Sequence, residues 1–449
     1  MEKLSSSFRD PSGYVYEEGG ELYRQVLPPG VPSLERLMGS GLATRLMERA
    51  ELAGFTLHGE SALGPVLRLK RLPYISYPYE WSFGQLRDAG LLTLRLMSEA
   101  LKEGLALKDA SAFNVAYDHC RPVFLDHTSF EVYREGEPWH AYRQFAMHFL
   151  APLLLMRDVD LRCLALFRED IGGIPLDLAS RLLPRWTWLQ PNPLLHLHLH
   201  AAMERRYSQD SQRQTHRQHL PKSRLQNLLQ ALEAWLESLQ PPHQRTQWAD
   251  YAPDTSYDQD SFAFKQEAVR QFCRRHHGQT AIDLGANSGI FSRIASNSFP
   301  LVIAADSDAT AVERLYELGK SLNANLQPLL LDLNNPSPNL GVLGQERSSF
   351  FARTRADVAL GLALIHHLRI TGNWSLHQIV TLFRRLAPKA LVEFVPLEDR
   401  QVRQLTRGRE TIYQDWTLER LKEEFLTQYA TCDVLDIPNS GRRLLALLD

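Results

Sequence analysis

The 449-residue chain has no charge excess: 50 basic residues stand against 52 acidic ones, a formal net charge of −2. That balance argues against a bulk electrostatic grip on nucleic acid, so no nucleic-acid partner is indicated. Cysteine is scarce. Cys120, Cys163, Cys273 and Cys432 lie far apart and form neither a C-x-x-C pair nor a metal spacing. No disulfide framework is expected, and the expected compartment is the reducing cytoplasm. No run of 18 uncharged apolar residues is present, so no membrane span and no membrane partner are expected. The first residues, MEKLSSSFRDPSG, lack the apolar core of a signal peptide. Lysine is scarce as well, at only nine of the 50 basic residues.

What is present falls into three textures. Residues 1–205 are rich in Leu, Tyr, Trp and Pro and read as an α+β domain. Residues 206–260 read as a linker with a connecting helix. It opens on a polar, Gln-rich stretch near residue 210, the best inter-domain linker candidate. In the helix Leu225, Leu228, Leu229, Leu232, Trp235, Leu236 and Leu239 share one face, Ser223 is placed to cap it, and Pro241-Pro242 ends it. From residue 261 to 449 apolar strands alternate with helical patterns, the mark of an α/β domain.

The strongest motif is TAIDLGANSGIFSRIA, residues 280–295. An apolar strand runs into a glycine turn and then a helix start, with the core Asp283-x-Gly285-x-Asn287-x-Gly289. Glycines there let the backbone take positive φ and let a ligand approach the main chain. A dinucleotide turn would read G-x-G-x-x-G. This core instead resembles motif I of the Rossmann-like, S-adenosylmethionine-dependent methyltransferases. The resemblance implies a seven-stranded α/β sheet with that cofactor. Asp283 and the turn would hold its amino-acid end, and Asn287 replaces the commoner glycine. Further strands fit. PLVIAADSD ends at Asp306 and Ser307, about 20 residues on, where an acid accepts from ribose hydroxyls. LQPLLLDLN ends at Asp332, which the resemblance assigns to the adenine amino group, with Leu333 packing on the ring. A fourth strand leads to His366 and His367, and a fifth, KALVEFVPLED, carries Glu393.

Methyl transfer is an in-line displacement that needs alignment and, for some acceptors, a base. His366 and His367 are candidate bases because histidine titrates near working pH; the alternative is that they wall the pocket. Glu393 is a candidate for orienting an amine or hydroxyl, or else for capping a helix. Tyr413 and Trp416 are candidates for stacking on a substrate, although Trp416 is better placed to pack before a helix capped by Thr417.

In LALKDASAFNVAYDHCRPVFLDHTSFE, four residues separate Asp109 from Asn114, and Asp126 follows two short β-like runs. The segment resembles the catalytic loop and metal-binding strand of kinase-like phosphotransferases, in which the first Asp takes a hydroxyl proton and the other two hold magnesium. Here the lysine count matters. Upstream of Asp109 only Lys3, Lys70, Lys102 and Lys108 occur, and the strand that should carry a phosphate-binding lysine offers Arg24. No G-x-G-x-x-G is present. The expectation is a relic site and a non-catalytic kinase-like domain that aids acceptor binding. The competing readings are ATP–magnesium phosphotransfer at Asp109, Asn114 and Asp126, and a binding or scaffold protein regulated by its cofactor.

Taken in order, YPYEWSFGQLRDAGLLTL, LKDASAFNV, EPWHAYRQFAMHFLAPLLL and motif I resemble the NoeA-type nodulation family of methyltransferases over nearly the whole chain. That family implies no particular acceptor. Finally, His196, His198 and His200 alternate. On a strand all three would face one side and suit a metal; on a helix only His196 and His200 would share a face. The helical flank AAMERRY favours the second reading, with no metal. Oligomeric state is not legible.

Overall fold

Two antiparallel strands, Gly13–Glu18 (β2) and Glu21–Val26 (β3), are joined by the two-residue turn Gly19-Gly20, the commonest hairpin closure. With Glu2–Lys3 (β1), Phe55–Ser61 (β4) and Gly64–Leu69 (β5) they form a five-stranded sheet ordered β1-β2-β3-β5-β4. The helices Val31–Gly39 (α1) and Leu42–Glu48 (α2) lie between β3 and β4 in the chain. This computed structural model describes residues 2–7, 9–203, 219–242 and 258–449. The Gln-rich linker candidate near residue 210 lies outside the described residues.

Two units are present: Met1–His243 with Asn339–Ser348, and Gln244–Pro338 with Ser349–Asp449. In the N-terminal unit the long helix Phe83–Lys102 (α3) starts at a capping box, in which Ser82 accepts from the Gln85 amide and Gln85 reaches back. Its apolar stripe is broken at Gly90. A Cβ there would lie 2.9 Å from Leu236 Cδ2 and 3.1 Å from Phe149 Cδ1, so the gap marks a close helix crossing. Leu236 belongs to Lys222–Ser238 (α4), the helix expected as a connector. Instead it packs on α3 as part of the N-terminal unit, burying Leu225, Leu229, Leu232 and Leu236. It also begins two residues earlier than the Ser223 cap implied, with Pro221 at its N-cap and no side-chain cap bond.

After α3 come short strands Leu105–Leu107 (β6), Val115–Asp118 (β7), Arg121–Phe124 (β8) and Phe130–Val132 (β9), paired β6 with β9 and β7 with β8. Asp109 and Asn114 lie between β6 and β7, and Asp126 follows β8.

The C-terminal unit begins with helix Gln259–Arg275 (α5), capped by Asp258, which accepts from the Ser261 amide at 2.7 Å. Its strands are Thr280–Leu284 (β10), Leu301–Asp306 (β11), Leu326–Leu330 (β12), Val358–Gly361 (β13), Lys389–Phe394 (β14), Thr431–Asp436 (β15) and Arg443–Leu448 (β16). They form one sheet ordered β12-β11-β10-β13-β14-β16-β15. The first five run parallel and β16 is antiparallel to both neighbours. The parallel strands are near-continuous apolar runs because crossover connections cover both faces. This is the seven-stranded α/β sheet that the motif I resemblance implies. Strand order reverses between β10 and β13, which opens a crevice beyond their carboxyl ends. Among the described residues no helix is long and apolar enough to cross a membrane.

Candidate cofactor and methyl-transfer site

The turn after β10 carries three residues in the left-handed region: Gly285 at φ +72°, Asn287 at +44° and Gly289 at +75°. Asn tolerates that conformation better than other side-chain-bearing residues, so it substitutes for glycine at little cost. At Gly289 a Cβ would also lie 2.4 Å from Leu315 Cδ2. The turn leads directly into the short helix Ile290–Ala295 (α6), and the helix Ala309–Leu322 (α7) follows β11.

Parallel register brings three acids to one edge. Asp283 lies in β10, Asp306 ends β11, and Asp332 follows two residues after β12. Asp283 is buried and accepts from the Ser292 hydroxyl at 2.6 Å. Burial pushes its carboxyl up to about 7; the Ser292 hydrogen bond opposes this and the Asp306 carboxylate adds to it. Asp306 accepts the Asn287 amide at 2.8 Å on one oxygen and the Asp308 amide at 2.9 Å on the other. Burial raises its pKa too. Asp332 is exposed and accepts the Asn334 amide at 2.9 Å.

The donor set fits S-adenosylmethionine. A glycine turn offers close main-chain approach. Asp283 is an acid whose ionised form a ligand ammonium would stabilise. Asp306 is held by two amides with lone pairs left for ribose hydroxyls, and Asp332 is open for an adenine amino group. Ser307 is exposed beside Asp306, and Leu333 is half-buried beside Asp332.

His366 and His367 lie in helix Ile365–Ile370 (α8), just beyond the tip of β13. Their rings lie against each other, with centroids 4.1 Å apart. His366 is buried and its Nδ1 has no hydrogen-bond partner among the described residues. Burial drives its pKa far down, helped by His367, Arg442 and Lys265. His367 is only half-buried; burial and Arg442 lower it to about 4. Both imidazoles are therefore neutral at pH 7, and His367 is the more accessible.

Glu393 is placed differently from its sequence reading. It has no exposed surface, and its carboxylate pairs with Lys265 at 2.5 Å and Arg442 at 3.3 Å. Arg442 also pairs with Asp399 at 2.9 Å. The carboxylate is consumed by two buried cations and does not face an acceptor. Neither Tyr413 nor Trp416 is placed to stack on a substrate, and Trp416 packs before a helix as its sequence position favoured. Both are buried; the Tyr413 hydroxyl donates to Ile370 O at 3.0 Å, and the Trp416 indole N–H donates to Val395 O at 2.8 Å. Trp416 does precede the helix Leu418–Phe425, which Thr417 caps. Lys265 and Arg442 were missed in the sequence. Lys265 had a signal, because it interrupts the i, i+4 stripe Ser261, Lys265, Val269, Cys273 that α5 buries.

In the N-terminal unit the structure brings Asp109, Asn114 and Asp126 together. Asp126 is ion-paired with Arg24 and accepts from Thr128 Oγ1 at 2.7 Å and Ser129 Oγ at 2.6 Å. Asn114 Nδ2 donates to the same serine at 3.2 Å. Burial opposes ionisation of Asp126, yet Arg24 and the hydroxyls hold it well below the usual carboxylate range. Asp109 is raised by burial and by the nearby Asp126 charge. The three histidines lie on a helical turn. His196 and His200 flank Tyr142, whose hydroxyl meets His196 Nδ1 at 2.6 Å, whereas His198 sits between Ser180 and Thr187 hydroxyls, each at 2.8 Å. Among the described residues no cluster of metal-ligating side chains occurs.

No protein-family model matches the chain. Over 456 aligned residues it is 32% identical to nodulation protein NoeA of Rhizobium meliloti (strain 1021), covering 98% of this chain and 95% of that protein. The chain belongs to the NoeA family. Among solved structures, this NoeA-family chain resembles the N-methyltransferase NodS from Bradyrhizobium japonicum WM9 (TM-score 0.31, 10% identity, 42% of this chain and 97% of that one). It also resembles magnesium protoporphyrin IX methyltransferase ChlM from Synechocystis PCC 6803 with bound SAH (0.31, 13%, 45% and 92%). A third is the bifunctional kinase-methyltransferase WbdD (0.31, 15%, 44% and 41%). At these scores the neighbours bear on neither acceptor nor mechanism. The glycine turn, the strand order and the three aligned acids are properties of this chain itself. Its C-terminal unit carries all three in one seven-stranded α/β sheet.

Proposed function

We propose that this NoeA-family chain methylates a small-molecule, glycan or protein acceptor, and that its N-terminal unit is a non-catalytic, kinase-like scaffold that aids acceptor binding. The cofactor supplies an electrophilic methyl group on a sulfonium. Asp283, the Gly285–Gly289 turn, Asp306 and Asp332 would hold it. On transfer that methyl would pass to the acceptor, and the sulfonium would be left as a neutral thioether. The acceptor proton, if it has one to lose, goes to the neutral imidazole of His367 or to water. A base with so low a pKa takes that proton only as positive charge builds on the acceptor during attack. The observation that carries this reading is the meeting of three acids from adjacent parallel strands around one glycine turn.

Two features support the scaffold reading. The sheet β1-β2-β3-β5-β4 followed by α3 and the Asp109–Asn114 loop has the element order of a kinase-like fold. The acid that would hold magnesium is instead neutralised by Arg24. Calorimetry tests both halves. S-adenosylmethionine should bind and lose affinity in Asp306→Ala, whereas ATP–magnesium should not bind. Tight ATP–magnesium binding abolished by Asp126→Ala would overturn the scaffold reading. A labelled-methyl assay on host extract, with identification of the labelled product, decides the acceptor.

A further inference from the structure

Asn334 stands between two groups from different parts of the sheet edge. Its backbone N–H and its Nδ2 both donate to Asp332 Oδ1, at 2.9 and 3.3 Å. Its Oδ1 accepts the indole N–H of Trp374 at 2.9 Å. The amide orientation is self-consistent, because a carboxylate can only accept and an indole N–H can only donate. One oxygen of Asp332 is thus committed to Asn334 and the other is left for a ligand.

Trp374 comes from the far side of the crevice. It lies four residues after α8, the helix that carries His366 and His367, and its own amide donates to Leu368 O at 3.0 Å. The turn that delivers it is tightly built. A Cβ on Gly372 would lie 2.8 Å from Asn334 Oδ1 and 2.9 Å from Trp374 Cδ1, and Asn373 takes φ +55°. The buried Tyr413 hydroxyl, which donates to Ile370 O at 3.0 Å, also lies 3.2 Å from Asn373 Oδ1, so it can share its one proton between the helix end and the turn. An exposed acid on a loop would otherwise sample many rotamers, and ordering it on binding costs free energy.

We infer that Trp374 is a positioning residue for the adenine end of the cofactor, acting through Asn334 to preset the Asp332 carboxylate toward an exocyclic amino donor. The inference rests on the methyltransferase reading. It also ties the adenine-binding loop to the segment that follows the candidate bases, so the cofactor end and the acceptor end of the crevice share one hydrogen-bonded chain.

The test is calorimetric titration of the full chain with S-adenosylhomocysteine and with S-inosylhomocysteine, which carries an oxygen in place of the adenine amino group. Trp374→Phe keeps an aromatic ring but removes the indole N–H together with the pyrrole ring that carries it. It should weaken S-adenosylhomocysteine about 3- to 10-fold, the size of one lost hydrogen bond, and S-inosylhomocysteine less than about 2-fold. In an Asp332→Ala background the same change should have no further effect. Asn334→Ala should repeat the pattern, which covers any packing fault peculiar to the ring substitution. Equal losses for both ligands, an undiminished loss without Asp332, or no loss at all would overturn the inference. A wild-type chain that binds neither ligand would instead overturn the methyltransferase reading.

Discussion

The backbone N–H of Asn287 donates to the Asp306 carboxylate at 2.8 Å, so the glycine turn of the first strand orients the acid of the second. The two parts of the cofactor site are therefore one construction. Left-handed backbone at Asn287 points its N–H at the neighbouring strand's tip, and the parallel register sets that tip at the right height. Changes to the turn should be felt at the acid.

Cofactor affinity should depend on pH through Asp283. Its carboxyl is pushed up to about 7, chiefly by burial. A ligand ammonium favours the ionised form, so binding releases a proton when the acid is protonated beforehand. Affinity for S-adenosylmethionine should fall as pH drops from 7.5 to 6. Calorimetry in buffers of different ionisation enthalpy should detect proton release, and Asp283→Asn should abolish it. For stability the sign is opposite. A raised pKa makes the folded form bind more protons, so this acid's contribution falls as pH rises from about 4 through about 7.

Lys265 and Glu393 form a pair with almost no solvent contact. Lys265→Met leaves the buried carboxylate with Arg442 as its remaining cation. It should destabilise the chain by about 3 kcal/mol, because an uncompensated buried charge is costly. The double variant Lys265→Met, Glu393→Gln should recover part of that loss. Guanidinium unfolding monitored by circular dichroism measures both; a double variant as unstable as the sum of its parts would contradict the pairing.

Asp126 should contribute acid-sensitive stability. Arg24 and two hydroxyls hold its pKa below the usual carboxylate range. Its contribution is present above the unfolded value, near 3.9, and is lost as pH falls toward the folded one. Asp126→Asn should lower the melting temperature at pH 7, and the gap to wild type should narrow below about pH 4.

Gly90→Ala tests the helix crossing. Alanine favours a helix by about 1 kcal/mol over glycine. Overpacking against Leu236 and Phe149 costs about 1–3 kcal/mol, so the net effect should be destabilising. Leu236→Ala alone leaves a cavity, but combining it with Gly90→Ala should cost less than the two single changes added. Simple additivity in denaturant unfolding would argue against the contact.

Much of the C-terminal unit was legible because its signals are local. The turn around Asn287 announces itself through residue types that tolerate positive φ, and Asp306 lies at the end of an uninterrupted apolar strand. Glu393 misled for the same reason. Its position at the end of β14 suggested a site, but nothing local reveals that Lys265, 128 residues earlier, and Arg442, 49 residues later, consume its charge. Tyr413 and Trp416 are aromatic residues in a polar segment, which reads as exposed until their hydroxyl and indole N–H find buried carbonyls at Ile370 and Val395. The connecting helix was legible as a helix, yet its membership of the N-terminal unit depended on a partner surface at Gly90.

By itself the sequence determined the periodicities, the glycine turn, the acids at strand ends and the shortage of lysine that leaves Arg24 on the strand where a phosphate-binding lysine is wanted. Those depend on neighbours within a few residues or on counting. Only tertiary structure decided which charges are spent on one another, which histidine stays accessible, and that Trp374 reaches Asn334. Such outcomes depend on desolvation and on distances between side chains far apart in the chain, and folding alone sets both.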